Sequence, residues 1–139
     1  MPHQIRIKVR GYHLDVFQHV NNARYLEFLE EARWTYFDDH GLTPLFMASG
    51  YAMAVVNINI HFRRAALLDD MLTVETAFAE VRARSAVIRQ TVRNADTGAV
   101  LAEAEVVFVA VDMQTNKAVE FPPPLRQRLN DLTKQETRI

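Results

Sequence analysis

Between residues 15 and 25 the chain reads D-V-F-Q-H-V-N-N-A-R-Y, a carboxylate, an imidazole and two carboxamides crowded against the start of an apolar, periodic segment. Asp15 is of the type that attacks an acyl carbon or takes a proton from water, and His19 stands four residues on as a possible base. Asn21 and Asn22 suit a helix N-cap. The helix behind them would open with unpaired N–H groups at the positive end of its dipole, which suits an oxyanion. An acid beside preorganised N–H donors is a minimal acyl-transfer site that needs no serine. Each residue also has a plainer use: Asn as a cap, Asp15 in a turn, His19 as a packed and bonded side chain.

The elements that must position these residues follow from periodicity. "IRIKVRGY" alternates Ile5, Ile7 and Val9 with Arg6, Lys8 and Arg10, a half-buried strand. Residues 11–21 connect it to a helix that starts near Asn22 and carries Tyr25, Leu29, Ala32 and Tyr36 at helical spacing, flanked by Leu26, Phe28, Trp34 and Phe37. His40-Gly41 supplies a left-handed stop, and Thr43-Pro44 starts a short helix through about Ser49. Beyond residue 50 the period becomes two, with Val56, Ile58, Ile60 and Phe62 on one face and Asn57, Asn59, His61 and Arg63 on the other. Strands follow at 72–81, 85–93 and 99–111, with "NADTG" as a hairpin loop, then a short strand at 118–121 and a polar helix over 125–135. One wide apolar helix and a run of antiparallel strands satisfy each other when the sheet curls around the helix, an α+β domain.

Composition narrows the function classes. The 139 residues fit one domain, read as spanning 1–139, and 17 acidic against 16 basic residues leave no field to recruit nucleic acid. No apolar run reaches the length of a membrane span. The chain has no cysteine, which removes thiol nucleophiles and Cys-type zinc sites and is compatible with a cytoplasmic location. A metal set of His13, Asp15 and His19 lacks a recognised ligand spacing, and no metal site is expected.

"RGYHLDVFQHVNNARYLEFLEEAR" closely resembles the hotdog-fold acyl-CoA thioesterases, in particular their bacterial long-chain branch, and the resemblance continues through "VVNINIHFRRAALLDDMLTVET". It implies a curled sheet of five to six antiparallel strands around one long helix, an acyl-CoA substrate of medium or long chain, and no cofactor. It further implies a homo-oligomer, a dimer at minimum and by expectation a tetramer, with sites at the dimer interface. Carried over by position, the catalytic carboxylate falls on Asp15 and the oxyanion-binding amide on Asn22. His19, Asn21 and Tyr25 match the pattern beside them, His19 as a catalytic candidate and Asn21 and Tyr25 as substrate contacts. Two departures stand out: Gln18 where many relatives have glycine, and Phe17 where the plant acyl-carrier thioesterases have a functional asparagine.

Six arginines lie between residues 63 and 93, and the planar guanidinium fork suits the phosphates of CoA. Arg63 and Arg64 are the favoured contacts, and Asn59 could line a ligand channel in an oligomer, although a solvated strand face explains it as well. Leu26, Phe28, Leu29, Trp34 and Phe37 could line an acyl tunnel or be plain core. The hydratases of the same fold carry an Asp-x-Asn-Pro-x-His motif, which His19, four residues after Asp15, does not reproduce. A non-catalytic acyl-CoA or acyl-carrier binding protein is the alternative from another class.

Overall fold

The computed structural model describes residues 2–136. The single-domain reading over 1–139 includes residue 1 and residues 137–139, which lie outside the described residues. β1 (His3–Lys8) turns Ile5 and Ile7 toward the core and exposes Arg6 and Lys8, as the alternation requires. A 3-10 turn at Gly11–His13 and a loop whose ends bridge Leu14 to Val20 lead to α1 (Asn22–Asp39). Gly41 follows it at φ +66°, and α2 (Leu42–Ser49) begins at the next residue. Four long strands come next: β2 (Tyr51–Phe62), β3 (Met71–Val81), β4 (Ser85–Asn94) and β5 (Val100–Asp112). β6 (Lys117–Val119) and α3 (Pro123–Glu136) complete the described chain.

The strands form one six-stranded antiparallel sheet in the order β1-β3-β4-β5-β2, with β6 paired to the end of β5. β1 and β2 are therefore its edges. α1 buries Tyr25, Phe28, Leu29, Ala32, Tyr36 and Phe37. Its first half meets Leu72, Val74, Val92, Ala102 and Ala104, so large helix rings meet small sheet residues. Its second half joins Phe78, Ile88, Val106 and Phe108. A polar bridge ties the two layers, since Gln90 Nε2 on β4 donates to the Leu29 carbonyl of α1 and to Thr76 Oγ1, each at 3.0 Å.

Three expectations are corrected. Val56 does not join Ile58 and Ile60, because a bulge between Val55 and Asn57 shifts the register and leaves it 59% exposed. The C-terminal helix is not simply polar: Leu125, Leu129 and Leu132 are all buried in the second half of the core. The apolar flanks of α1 are not all enclosed, for Leu26 and Trp34 remain 40% and 47% exposed.

Candidate active site

Asp15 sits in a tight loop stapled at both ends. Its amide donates to the His19 carbonyl at 2.8 Å, and its Oδ1 accepts from the amides of Phe17 (2.9 Å) and His19 (3.3 Å). One carboxylate oxygen is thus spent on the loop and fixes the direction of the other. The loop closes through Gln18 at φ +65°, a backbone conformation natural to glycine, so the departure noted at this position is a residue under local strain.

The loop joins α1 through His13 and Asn21. The Asn21 amide donates to the His13 carbonyl at 2.8 Å, and the Asn21 side-chain oxygen caps the Ala23 amide at 2.9 Å. The Arg24 amide bonds to the Asn21 carbonyl at 2.9 Å. These bonds take the second and third amides of the helix and leave that of Asn22 outside the cap. His13 is buried, and its Nδ1 accepts the Arg10 amide at 2.8 Å, which puts the neutral ring's proton on Nε2. Burial, with Arg24 and Arg10 nearby, lowers its pKa from 6.5 against the opposing pull of Glu27. His13 therefore braces the loop, a role that the sequence did not reveal.

Asp15, His19, Val20, Asn22, Tyr25, Phe62, Arg63, Arg64 and Ala65 line one open cavity of about 260 Å³ at the positive end of α1. Tyr25 is 3% exposed; its phenol oxygen accepts the Ala66 amide at 3.2 Å and its ring meets Phe62 edge-on at 5.2 Å. Burial raises its pKa, so it remains a neutral hydroxyl that can still donate its proton. Arg63 is committed to Glu103 through Nε (3.3 Å) and Nη2 (3.1 Å). The Arg64 side chain has no partner among the described residues.

Six of the eight expected site residues meet in this cavity. Asn21 does not line it, its oxygen being used in the cap. Asn59 lies elsewhere, in a depression of about 310 Å³ shared with His61, Arg89, Thr91, Glu103 and Glu105. In the register of β2, β5 and β4, Asn59 stands opposite Glu105 and Glu105 opposite Arg89, all solvent-facing.

Two further hollows lie in the seam between α1 and β2, sharing Trp34, Phe37 and Met53 with each other. One of about 270 Å³ is lined by Glu30, Arg33, Trp34, Phe37, Met53 and Val55. The next, of about 210 Å³, is bounded by Trp34, Phe37, Phe46, Met47, Tyr51, Met53 and Met113 among others, an almost wholly apolar wall. Of the suggested tunnel residues, Trp34 and Phe37 line these hollows, while Phe28 and Leu29 are core.

An acid that shares a cavity with the first residue of a long helix, on a sheet curled around that helix, leads to the class. The sequence profile of the Thioesterase-like superfamily matches residues 9–129, and the chain belongs to that family: it is a thioester hydrolase of hotdog fold. It is 45% identical over 131 residues to the long-chain acyl-CoA thioesterase FadM of Escherichia coli K12, covering 94% of this chain and 99% of that one. It is 35% identical over 104 residues to the acyl-CoA thioester hydrolase YbgC of Escherichia coli O6:H1, covering 74% of this chain and 77% of the other. The crystal structure of YbaW, a probable thioesterase from Escherichia coli, superposes with a TM-score of 0.87 at 45% identity, covering 94% of this chain and 98% of that one.

Proposed function

We propose that this enzyme hydrolyses medium- to long-chain fatty acyl-CoA to the free acid and CoA, with Asp15 as the reacting carboxylate. The observation that carries the reading is that Asp15 and Asn22, the first residue of α1, line one cavity at the positive end of that helix. The similarity to a long-chain acyl-CoA thioesterase supports the substrate class.

The thioester carbonyl would lie with its oxygen toward the Asn22 amide and its carbon toward Asp15. Attack on that carbon forms a tetrahedral oxyanion, which the amide and the helix dipole stabilise by roughly 3 kcal/mol per well-placed donor. Two routes complete the balance. In the first, the carboxylate bonds to the acyl carbon, CoA leaves as thiolate, and water hydrolyses the resulting anhydride. In the second, Asp15 takes a proton from the water whose oxygen bonds to the acyl carbon, and collapse of the oxyanion breaks the C–S bond and releases CoA as thiolate. His19 and Tyr25 flank the cavity as hydrogen-bonding groups for the reacting centre, and Arg64 reaches for a CoA phosphate. No metal or redox chemistry enters either route.

We further propose that the protein acts in the cytoplasm, as a dimer joined along β2 at the least and as a tetramer of two such pairs. The unpaired β2 edge beside the seam supports the first of these contacts.

Thiol release from acyl-CoAs ranging from acetyl to palmitoyl tests the function, with wild type and Asp15→Asn in parallel. Chain-dependent release that falls at least about a hundredfold in the variant is expected. Release that survives the substitution would remove Asp15 from the chemistry. Binding without release by the wild type would make the chain an acyl-CoA carrier instead.

A further inference from the structure

Beneath the middle hollow of the seam lies a charge that neither the fold nor the chemistry above requires. Arg33 is 6% exposed, and its Nη1 donates to Gln90 Oε1 at 3.1 Å. That is its one hydrogen bond among the described residues, and it makes no ion pair there. Gln90 offers it a neutral carbonyl oxygen only, its amide nitrogen being a donor that serves Leu29 and Thr76. Guanidinium carries five N–H donors, and a buried cation with a single neutral partner is poorly compensated. Glu30, one turn earlier, acts on it through space and lines the same hollow from the exposed side. The remaining walls are apolar: Trp34, Phe37, Met53 and Val55.

We propose that Arg33 and Glu30 recognise a hydroxyl group on the acyl chain, about ten to thirteen carbons from the thioester; this rests on the acyl-CoA reading of the Asp15 cavity. Arg33 can only donate and ionised Glu30 can only accept, so the group that satisfies both must do both. A hydroxyl does so. The two charges cancel at the hollow, which favours a neutral ligand: a carboxylate would meet Glu30 and an ammonium would meet Arg33.

The distance follows from the helix. The Asp15 cavity is lined by Asn22, and at 1.5 Å per residue Glu30 and Arg33 lie about 12 and about 16 Å further along α1. An extended chain of roughly 1.5 Å bonds advances about 1.25 Å per carbon, which brings the tenth to thirteenth carbons past these side chains. Both hollows border β2, the first at Phe62 and the second at Val55 and Met53, so an extended chain that follows α1 and β2 meets them in order. A longer unsubstituted chain continues into the apolar hollow of Trp34, Phe46 and Met47.

The test compares kcat/KM for 12-hydroxydodecanoyl-CoA and dodecanoyl-CoA, with 8-hydroxyoctanoyl-CoA and octanoyl-CoA as the pair too short to reach. A preference of about tenfold for the hydroxyl at twelve carbons, and none at eight, is expected for hydrogen bonds to charged groups. Arg33→Met and Glu30→Gln should each bring the twelve-carbon ratio toward one, because the hydroxyl substrate loses more than its parent. A wild-type ratio of one or less overturns the assignment. So does a preference for the ω-carboxy chain of the same length, or an Arg33→Met loss shared equally by both substrates. Should Arg33→Met fail to fold, Glu30→Gln, an exposed position, carries the test alone. Absence of hydrolysis of every acyl-CoA would sink the acyl-CoA reading instead; the thermal shifts given by 12-hydroxydodecanoate and dodecanoate then decide this one, and equal shifts refute it.

Discussion

At the scale of single residues, the site divides into groups that are spent and groups that are free. Arg63 is held by Glu103, whereas Arg64 lines the same cavity without a partner among the described residues. Arg64→Ala should therefore raise KM for acyl-CoA about tenfold with kcat little changed, and Arg63→Ala should do less; a charge-assisted phosphate contact has that size. The contrast is read in steady-state kinetics, and equal effects would argue against a specific phosphate contact. Gln18 is strained at φ +65°. Its replacement by glycine relieves about 1–2 kcal/mol of left-handed strain and gives back about 0.4–1 kcal/mol to the looser unfolded chain. A melting temperature raised by roughly 2–4 °C is expected, and a decrease would contradict the strain. His13 works in the opposite sense. Its folded pKa lies below 6.5, so its contribution to stability is fully present above pH 6.5. That contribution is lost as the pH falls through 6.5 toward the lowered value, when Nδ1 must accept a proton where the Arg10 amide now points. His13→Gln cannot titrate, and its melting temperature should fall less than that of wild type between pH 7 and pH 5.

At the scale of elements, α3 offers the sharpest check of the core. Leu125, Leu129 and Leu132 place one stripe of this helix among Phe78 and Phe108. Leu129→Ala should cost about 2–5 kcal/mol in denaturant unfolding, whereas a truly polar surface helix would lose well under 1 kcal/mol. That stripe was present in the sequence, at spacings of four and three, but the charged and amide residues around it hid its periodicity. Elsewhere the reading was easier. Every strand and every α-helix of the described chain was legible, because each carries a period of two or 3.6, or ends on glycine or proline. The bulge at Val56 was not, since nothing in a run of aliphatic residues marks where an extra one is inserted. The convergence of Asp15, Asn22, Tyr25 and Arg64 in one cavity was legible through the family pattern rather than through spacing. Arg33 was missed altogether: on a helix it looks like any solvated arginine until the fold buries it against Gln90.

At the scale of the whole molecule, the two edges of the sheet are built differently. β1 carries Arg6 and Lys8, charges that discourage pairing with another strand. β2 runs for twelve residues, Tyr51–Phe62, without a lysine, arginine, acid or proline, and its one irregularity is the bulge at Val56. An edge of that length and composition is open to a second copy of the same strand. The hollows between α1 and β2 lie along this strand, so pairing there would turn open grooves into enclosed ones and make each site depend on two chains. The chain reports on this itself, because Trp34 is its single tryptophan, half exposed beside Met53 and Val55. On dilution, tryptophan emission should move to longer wavelength as the sedimenting mass falls from at least two chains toward one of 16.0 kDa, and activity should fall with it. The three midpoints should coincide, because one contact along β2 would both cover the indole and complete the acyl groove. A protein that remains fully active as a monomer would show that α1 and β2 of one chain suffice.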